Sequence, residues 1–232
     1  MKKFVFFIIF FFNGFSYSED HSAIALMYHR FDEPKYQSTS ISSELFEKHL
    51  KLIKDNDFNV LNLKDFLDIL INKKKVPKKT LIITVDDAFR SFYDFAFPLL
   101  KKYNFPFSVF VSTASVSKDE ESDFMSWEML KEIQKHKGMV LNHTVDHLSL
   151  VGLSDKMIID QVTKASNEIK LNLGIENPKV FSYPYGESSE RVEKILEELG
   201  ILAAFSQHSA PLNHDDSLFR LPRFSLNNEY GT

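Results

Sequence analysis

The 232-residue chain contains no cysteine. That excludes disulfides and thiolate metal sites, and it excludes lipid attachment through a cysteine after the leader. Long basic stretches are missing too. The formal net charge is -4, and the short patch of Lys73, Lys74, Lys75, Lys78 and Lys79 reads as a solvated loop, so nucleic acid is not expected as a partner. No apolar run is long enough for a comfortable transmembrane span. No internal repeat or low-complexity linker breaks the chain, and its length suits one domain. Tryptophan occurs once, as Trp127. Phenylalanine, by contrast, occurs 23 times; it has no hydrogen-bonding tip and is mostly core material.

The first residues have the build of a secretory signal peptide. Lys2 and Lys3 precede an apolar run over 4–12, Asn13 and Gly14 break it, and Ser16-Tyr17-Ser18 offers a small-x-small cleavage site. The expected organisation is a leader over 1–18 and one domain over 19–232, exported to the periplasm or the cell exterior. No stable membrane insertion is expected once the leader is cleaved, and the oligomeric state is not readable.

The rest alternates short apolar runs with longer amphipathic stretches. Strands are expected at 23–28, 59–61, 80–85, 107–111, 139–141, 179–183 and 201–205. Helices are expected at 43–55, 63–71, 92–103, 127–135, 154–173 and 189–199. Pro98 should kink or break the third helix. Ser126 suits the N-cap of the fourth, and Gly174 suits the end of the fifth. Strands alternating with helices give an α/β fold with about seven parallel strands, and a barrel is favoured at this length.

In such a barrel the active site lies at the C-terminal ends of the strands. The residues found there are His29-Arg30, Asp86-Asp87, Ser112-Thr113, Asn142-His143-Thr144, Pro184-Tyr185-Gly186 and Ser206-Gln207-His208. Two adjacent carboxylates repel each other unless a cation is near. His143 and His147, spaced i and i+4, can reach one ion from a helix or a tight turn. With one carboxylate of the Asp86-Asp87 pair they give two His and one Asp, which suits a divalent metal with open positions. Asp146 reads as an exposed charge rather than a ligand. Trp127 is either a pocket wall or packing at a helix start.

Thr84-Val85-Asp86-Asp87, His143-Thr144-Val145-Asp146-His147 and Tyr183-Pro184-Tyr185-Gly186 resemble, in order and separation, the first three motifs of the polysaccharide deacetylases with a NodB-homology domain (carbohydrate esterase family 4). Leu26-Met27-Tyr28-His29-Arg30, Phe124-Met125-Ser126-Trp127 and Leu221-Pro222-Arg223-Phe224 extend the likeness over nearly the whole mature chain. The resemblance implies a distorted (β/α) barrel and a hydrolase that removes N-acetyl groups from amino-sugar units of a glycan. It implies Asp87, His143 and His147 as ligands of a divalent metal, zinc by default, with Asp86 as general base. It also implies the Tyr185 backbone N–H at the oxyanion. Tyr185, His29, Trp127 and Arg223 are expected around the substrate.

Three departures from the family pattern stand out. Ala88 follows the Asp pair where the family usually has Gly, so the turn is expected to differ if it needs positive φ. No Arg stands shortly before Pro184, where the residues are Phe181, Ser182 and Tyr183, and Arg223 is the candidate to support the base instead. The late Leu-x-His motif is not clearly assigned: Leu212-Asn213-His214 has its spacing, but it lies in what reads as a loop. His208 is the candidate general acid, with His29 second and His214 read as a loop residue. Two other functions fit parts of the pattern. A facial-triad non-haem iron oxygenase uses the same ligand types but sits in β-rich scaffolds. A catalytically weak carbohydrate-binding barrel would keep the groove without turnover.

Overall fold

A computed structural model describes residues 22–117, 119, 121–174 and 179–230. The leader expected over 1–18 lies outside the described residues. In chain order the elements are β1 (Ala23–Tyr28), β2 (Arg30–Phe31), β3 (Ser40–Ile41), α1 (Ser43–Asp55), β4 (Asn59–Val60), α2 (Leu63–Ile71), β5 (Thr80–Asp86), α3 (Phe97–Tyr103), β6 (Phe107–Val111), α4 (Trp127–Lys135), β7 (Gly138–Asn142), α5 (Asp155–Leu173), β8 (Val180–Ser182), α6 (Glu190–Glu198), β9 (Ala203–Phe205) and β10 (Phe224–Ser225).

The helices start where a side chain can satisfy a free N–H. Ser42, Asn62, Ser126, Ser154 and Ser189 each accept a hydrogen bond from the residue three positions on, the usual N-cap geometry. Gly174 ends α5 at φ 67°, a left-handed conformation that glycine adopts without a Cβ penalty.

The main sheet runs β10-β1-β5-β6-β7-β8-β9, seven strands, with β4 joined beside β5. Every pairing between named strands in it is parallel. Its two ends are linked by a parallel bridge between Phe205 and Leu221, three residues before β10. The result is a distorted (β/α) barrel.

Alternation along the strands sorts the core into layers. Ile82, Phe110, Leu141, Val180 and Phe205 share one buried cluster from five strands, which is the barrel interior. Ile83, Val85, Val109, Val111 and Val140 face a second cluster with Leu50 of α1, Phe97 of α3 and Leu130 of α4. Ile158 and Val162 of α5 pack with Val192 and Leu196 of α6 over β8 and β9. Thr84 and Asp86 have the parity of Ile82, so both point into the barrel. Among the described residues no helix is long and apolar enough to cross a membrane.

Candidate active site and metal centre

β5 carries Asp86 as its last residue, and Asp87 follows at φ 73°. Ala88 comes next at φ 61° and is fully buried. The turn therefore keeps its positive φ with alanine in it, against the expectation that it would differ. Backbone bonds from Met125 N to Ala88 O (3.0 Å) and from Arg90 N to Asp123 O (2.8 Å) hold it there.

This turn aims Asp87 at the histidines. Asp87 Oδ1 lies 3.3 Å from His143 Nε2 and 3.2 Å from His147 Nε2. One ligand atom from each of the three residues falls within 4.8 Å of the others. His143 Nδ1 is 2.8 Å from the carbonyl oxygen of Ser182. A carbonyl can only accept, so Nδ1 carries the proton and Nε2 presents a lone pair towards Asp87. Asp87 Oδ1 is buried and has no hydrogen-bond partner. A buried anionic oxygen without a partner, facing the lone pair of His143 Nε2, is costly without a cation between them, so this donor set fits a divalent ion.

The histidine turn is strained as well as polar. Thr144 has φ 73° and His147 φ 53°. Thr144 Oγ1 accepts from His147 N (3.0 Å), and Asn142 Oδ1 accepts from Thr144 N (2.8 Å). Asp146 accepts from Gln161 and stands apart from the three-residue cluster.

Asp86 is fully buried in the barrel. Arg223, equally buried, donates from Nη1 to Oδ1 (2.8 Å) and from Nη2 to Oδ2 (2.7 Å). Ser182 Oγ adds a bond to Oδ2 (3.1 Å). Arg223 Nε donates to Ser206 O (3.1 Å), and Nη1 reaches Thr84 Oγ1 (3.2 Å). Burial raises the Asp86 carboxyl, while the Arg223 guanidinium and nearby His143 bring it below its ordinary value. Arg223 is thus bidentate on Asp86.

His29, after β1, is buried with its Nδ1 unpartnered. Burial is the largest influence on it and lowers its pKa; Asp86, Asp87, Arg223 and His143 are the charges it feels. Tyr185 is exposed at φ 60°, with its ring 4.7 Å from that of His147. No acceptor among the described residues takes its backbone N–H. His208 is exposed beside these groups rather than within the cluster; its Nδ1 lies 2.6 Å from Ser206 Oγ, and it lines a groove with Gly186, Glu187, Ser188 and Val151. Trp127 opens α4 and is half-buried against the cluster of Phe92 and Phe107. His214 sits in the loop before β10, with both ring nitrogens buried and unpartnered.

The two carboxylates and two histidines thus meet at the strand ends of a parallel barrel, not in the β-rich scaffold usual for a facial-triad oxygenase. Residues 73–204 match the polysaccharide deacetylase family, over half of the chain, and the protein belongs to that family, whose members are hydrolases of amide bonds. It is 27% identical over 237 residues to a poly-beta-1,6-N-acetyl-D-glucosamine N-deacetylase of Staphylococcus aureus, covering 91% of this chain and 81% of that one. The structure of IcaB from Ammonifex degensii matches with a TM-score of 0.82 at 25% identity, over 90% of this chain and 93% of the other. The Streptococcus pyogenes deacetylase PplD, solved with acetate, has the same fold at a TM-score of 0.82 and 21% identity, over 89% and 92% of the two chains.

Proposed function

We propose that this protein is an exported, metal-dependent hydrolase that removes N-acetyl groups from the amino-sugar units of a poly- or oligosaccharide. The observation that carries the reading is the unpartnered, buried Asp87 Oδ1 facing the Nε2 atoms of His143 and His147, with a second, charge-paired carboxylate, Asp86, beside it. The deacetylase activity named for the Staphylococcus aureus relative supports an N-acetylglucosamine polymer as substrate class. The sequence of residues 1–18, which reads as a secretory leader, supports a periplasmic or extracellular location.

Asp87, His143 and His147 would hold a divalent cation, zinc by default. Bound there, it supplies Lewis acidity that acidifies water and polarises a carbonyl oxygen. Asp86 takes the proton of the attacking water. Arg223 and Ser182 keep Asp86 ionised and fix its direction. The Tyr185 N–H, free of any internal acceptor, donates to the acetyl oxygen as it gains charge. His208, held at Nδ1 by Ser206, delivers a proton to the departing amine. Water adds to the acetyl carbon, the C–N bond breaks, and the products are acetate and a free amino sugar. His29 and Trp127 are assigned to the walls of the substrate site.

The test is acetate release from N-acetylglucosamine oligomers by the leader-free protein, with chelator, with zinc restored, and with Asp87→Asn. Release that falls at least 100-fold with chelator and with the variant, and returns with zinc only in the wild type, is expected. Metal binding without acetate release from any acetylated glycan would favour the carbohydrate-binding barrel. Failure to bind metal would overturn the assignment of Asp87, His143 and His147.

A further inference from the structure

We infer that Gln161, on the buried side of α5, is a positioning residue that sets the metal affinity of the turn carrying His143 and His147. The inference rests on the metal-dependent reading above. One turn supplies two of the three ligands, and it does so with a backbone that does not favour itself. Thr144 and His147 both lie at positive φ, a conformation disfavoured for any residue with a Cβ. Such a turn persists only where its surroundings over-determine it.

The surroundings come from two sides. From the segment just after β6, Thr113 N donates to Thr144 O (3.1 Å) and Ala114 N to Val145 O (3.0 Å), while Ser112 Oγ bonds His143 O (2.9 Å). These bonds satisfy the carbonyls of the turn. Two of its N–H groups, those of Val145 and Asp146, are satisfied from α5. Gln161 Oε1 accepts from both Val145 N and Asp146 N, each at 3.0 Å. An amide oxygen has two lone pairs, and here both serve the turn. Gln161 Nε2 then donates to Asp146 Oδ2 at 2.6 Å, so one side chain grips three atoms between the two ligands. Asn142, at the start of the turn, is itself tied to α5 through Val162 O and Ser166 Oγ, both at 2.8 Å.

Without Gln161, two amide groups in the segment joining the ligands lose their acceptor. The turn can then relax towards ordinary φ values, and the two Nε2 atoms no longer converge on Asp87. Metal-ligand supports of this kind typically contribute 10–100-fold to affinity. The role also explains Asp146: it lies between the histidines as a latch for Gln161, not as a ligand.

Zinc affinity of the otherwise metal-free protein can be measured by competition with a chromophoric chelator, alongside the melting temperature of the metal-free form and amide hydrogen exchange at Val145 and Asp146. Gln161→Ala should weaken zinc binding roughly tenfold or more and speed exchange at those two amides, with the metal-free melting temperature little changed. Gln161→Glu keeps the acceptor but sets a carboxylate against Asp146, and should also bind more weakly. Combining Gln161→Glu with Asp146→Asn exchanges amide and carboxylate across the contact and should recover most of the affinity. Wild-type zinc affinity in Gln161→Ala, or no recovery in the double variant, would overturn the inference while leaving the metal site standing. A wild-type protein that bound no zinc, cobalt or nickel would remove both.

Discussion

Ala88 holds φ 61° with no access to solvent, directly after Asp87 at φ 73°. Two consecutive left-handed residues with side chains form the turn that aims the Asp pair. Replacing Ala88 by glycine would relieve ~1–2 kcal/mol of backbone strain. It would also lose ~0.8 kcal/mol of buried methyl and add ~0.4–1 kcal/mol of unfolded-state freedom. These offset one another, so Ala88→Gly should change unfolding free energy by less than about 1 kcal/mol in urea denaturation, with acetate release retained. A loss of several kcal/mol would show that the methyl packs the turn rather than merely being tolerated in it. At this scale the sequence is informative where residue type and chemistry coincide. Asp87, His143 and His147 were legible because few other roles bring those types to strand ends in that order. Gln161 was not, because a glutamine on a long amphipathic helix has no local mark that separates a solvated side chain from one gripping a neighbouring turn. The order within the Asp pair came from family resemblance, since the two differ only in the direction each points from the strand end.

Helices and long strands were readable because their burial is periodic and their caps are local. Not every short element was. β10, with two residues, and the β2–β3 pair exist through pairing with distant strands, and two residues show no period. The break expected at Pro98 is present in a different form. Residues 92–96 form a π-turn, with Phe97 N bonded to Phe92 O, and α3 begins at Phe97 with Pro98 in its first turn. Proline has no N–H to donate, so the wide turn precedes it and the ring sits where no intrahelical bond is due. The start of β7 gives a prediction at this scale. A Cβ on Gly138 would stand 2.8 Å from both Phe107 Cζ and the Ile133 carbonyl oxygen, at the contact of α4 with β6 and β7. Gly138→Ala should therefore destabilise by about 1–3 kcal/mol through overpacking, outweighing its ~0.4–1 kcal/mol gain from a stiffer unfolded chain. Its urea midpoint should fall; an unchanged midpoint would mean that α4 shifts away at no cost.

The whole barrel is drawn together at Arg223. Its guanidinium lies 5.6 Å and 5.5 Å from the ring centroids of Phe110 and Phe205. It bonds Thr84 and Asp86 from β5, Ser182 from β8 and the carbonyl after β9. A barrel with fewer than eight strands thus closes around a buried ion pair, and one partner of that pair is the proposed base. Breaking it should cost more than removing it. Arg223→Met leaves a buried carboxylate unpaired and should destabilise by about 3–5 kcal/mol at neutral pH, whereas Arg223→Met with Asp86→Leu should recover most of that loss, with no acetate release. The pH dependence carries the sign. In the wild type, the folded pKa of Asp86 lies below its ordinary 3.8, so its contribution is complete above that value and is lost as pH falls through the lower, folded one. Without Arg223, burial acts with less opposition and the folded pKa rises above 3.8. The variant then takes up a proton on folding and recovers stability as the medium is acidified. The gap between wild type and Arg223→Met should therefore narrow as pH falls from the variant's raised folded pKa towards pH ~4 in parallel urea titrations. A gap independent of pH would mean that Arg223 acts through packing on Phe110 and Phe205 rather than through the charge of Asp86.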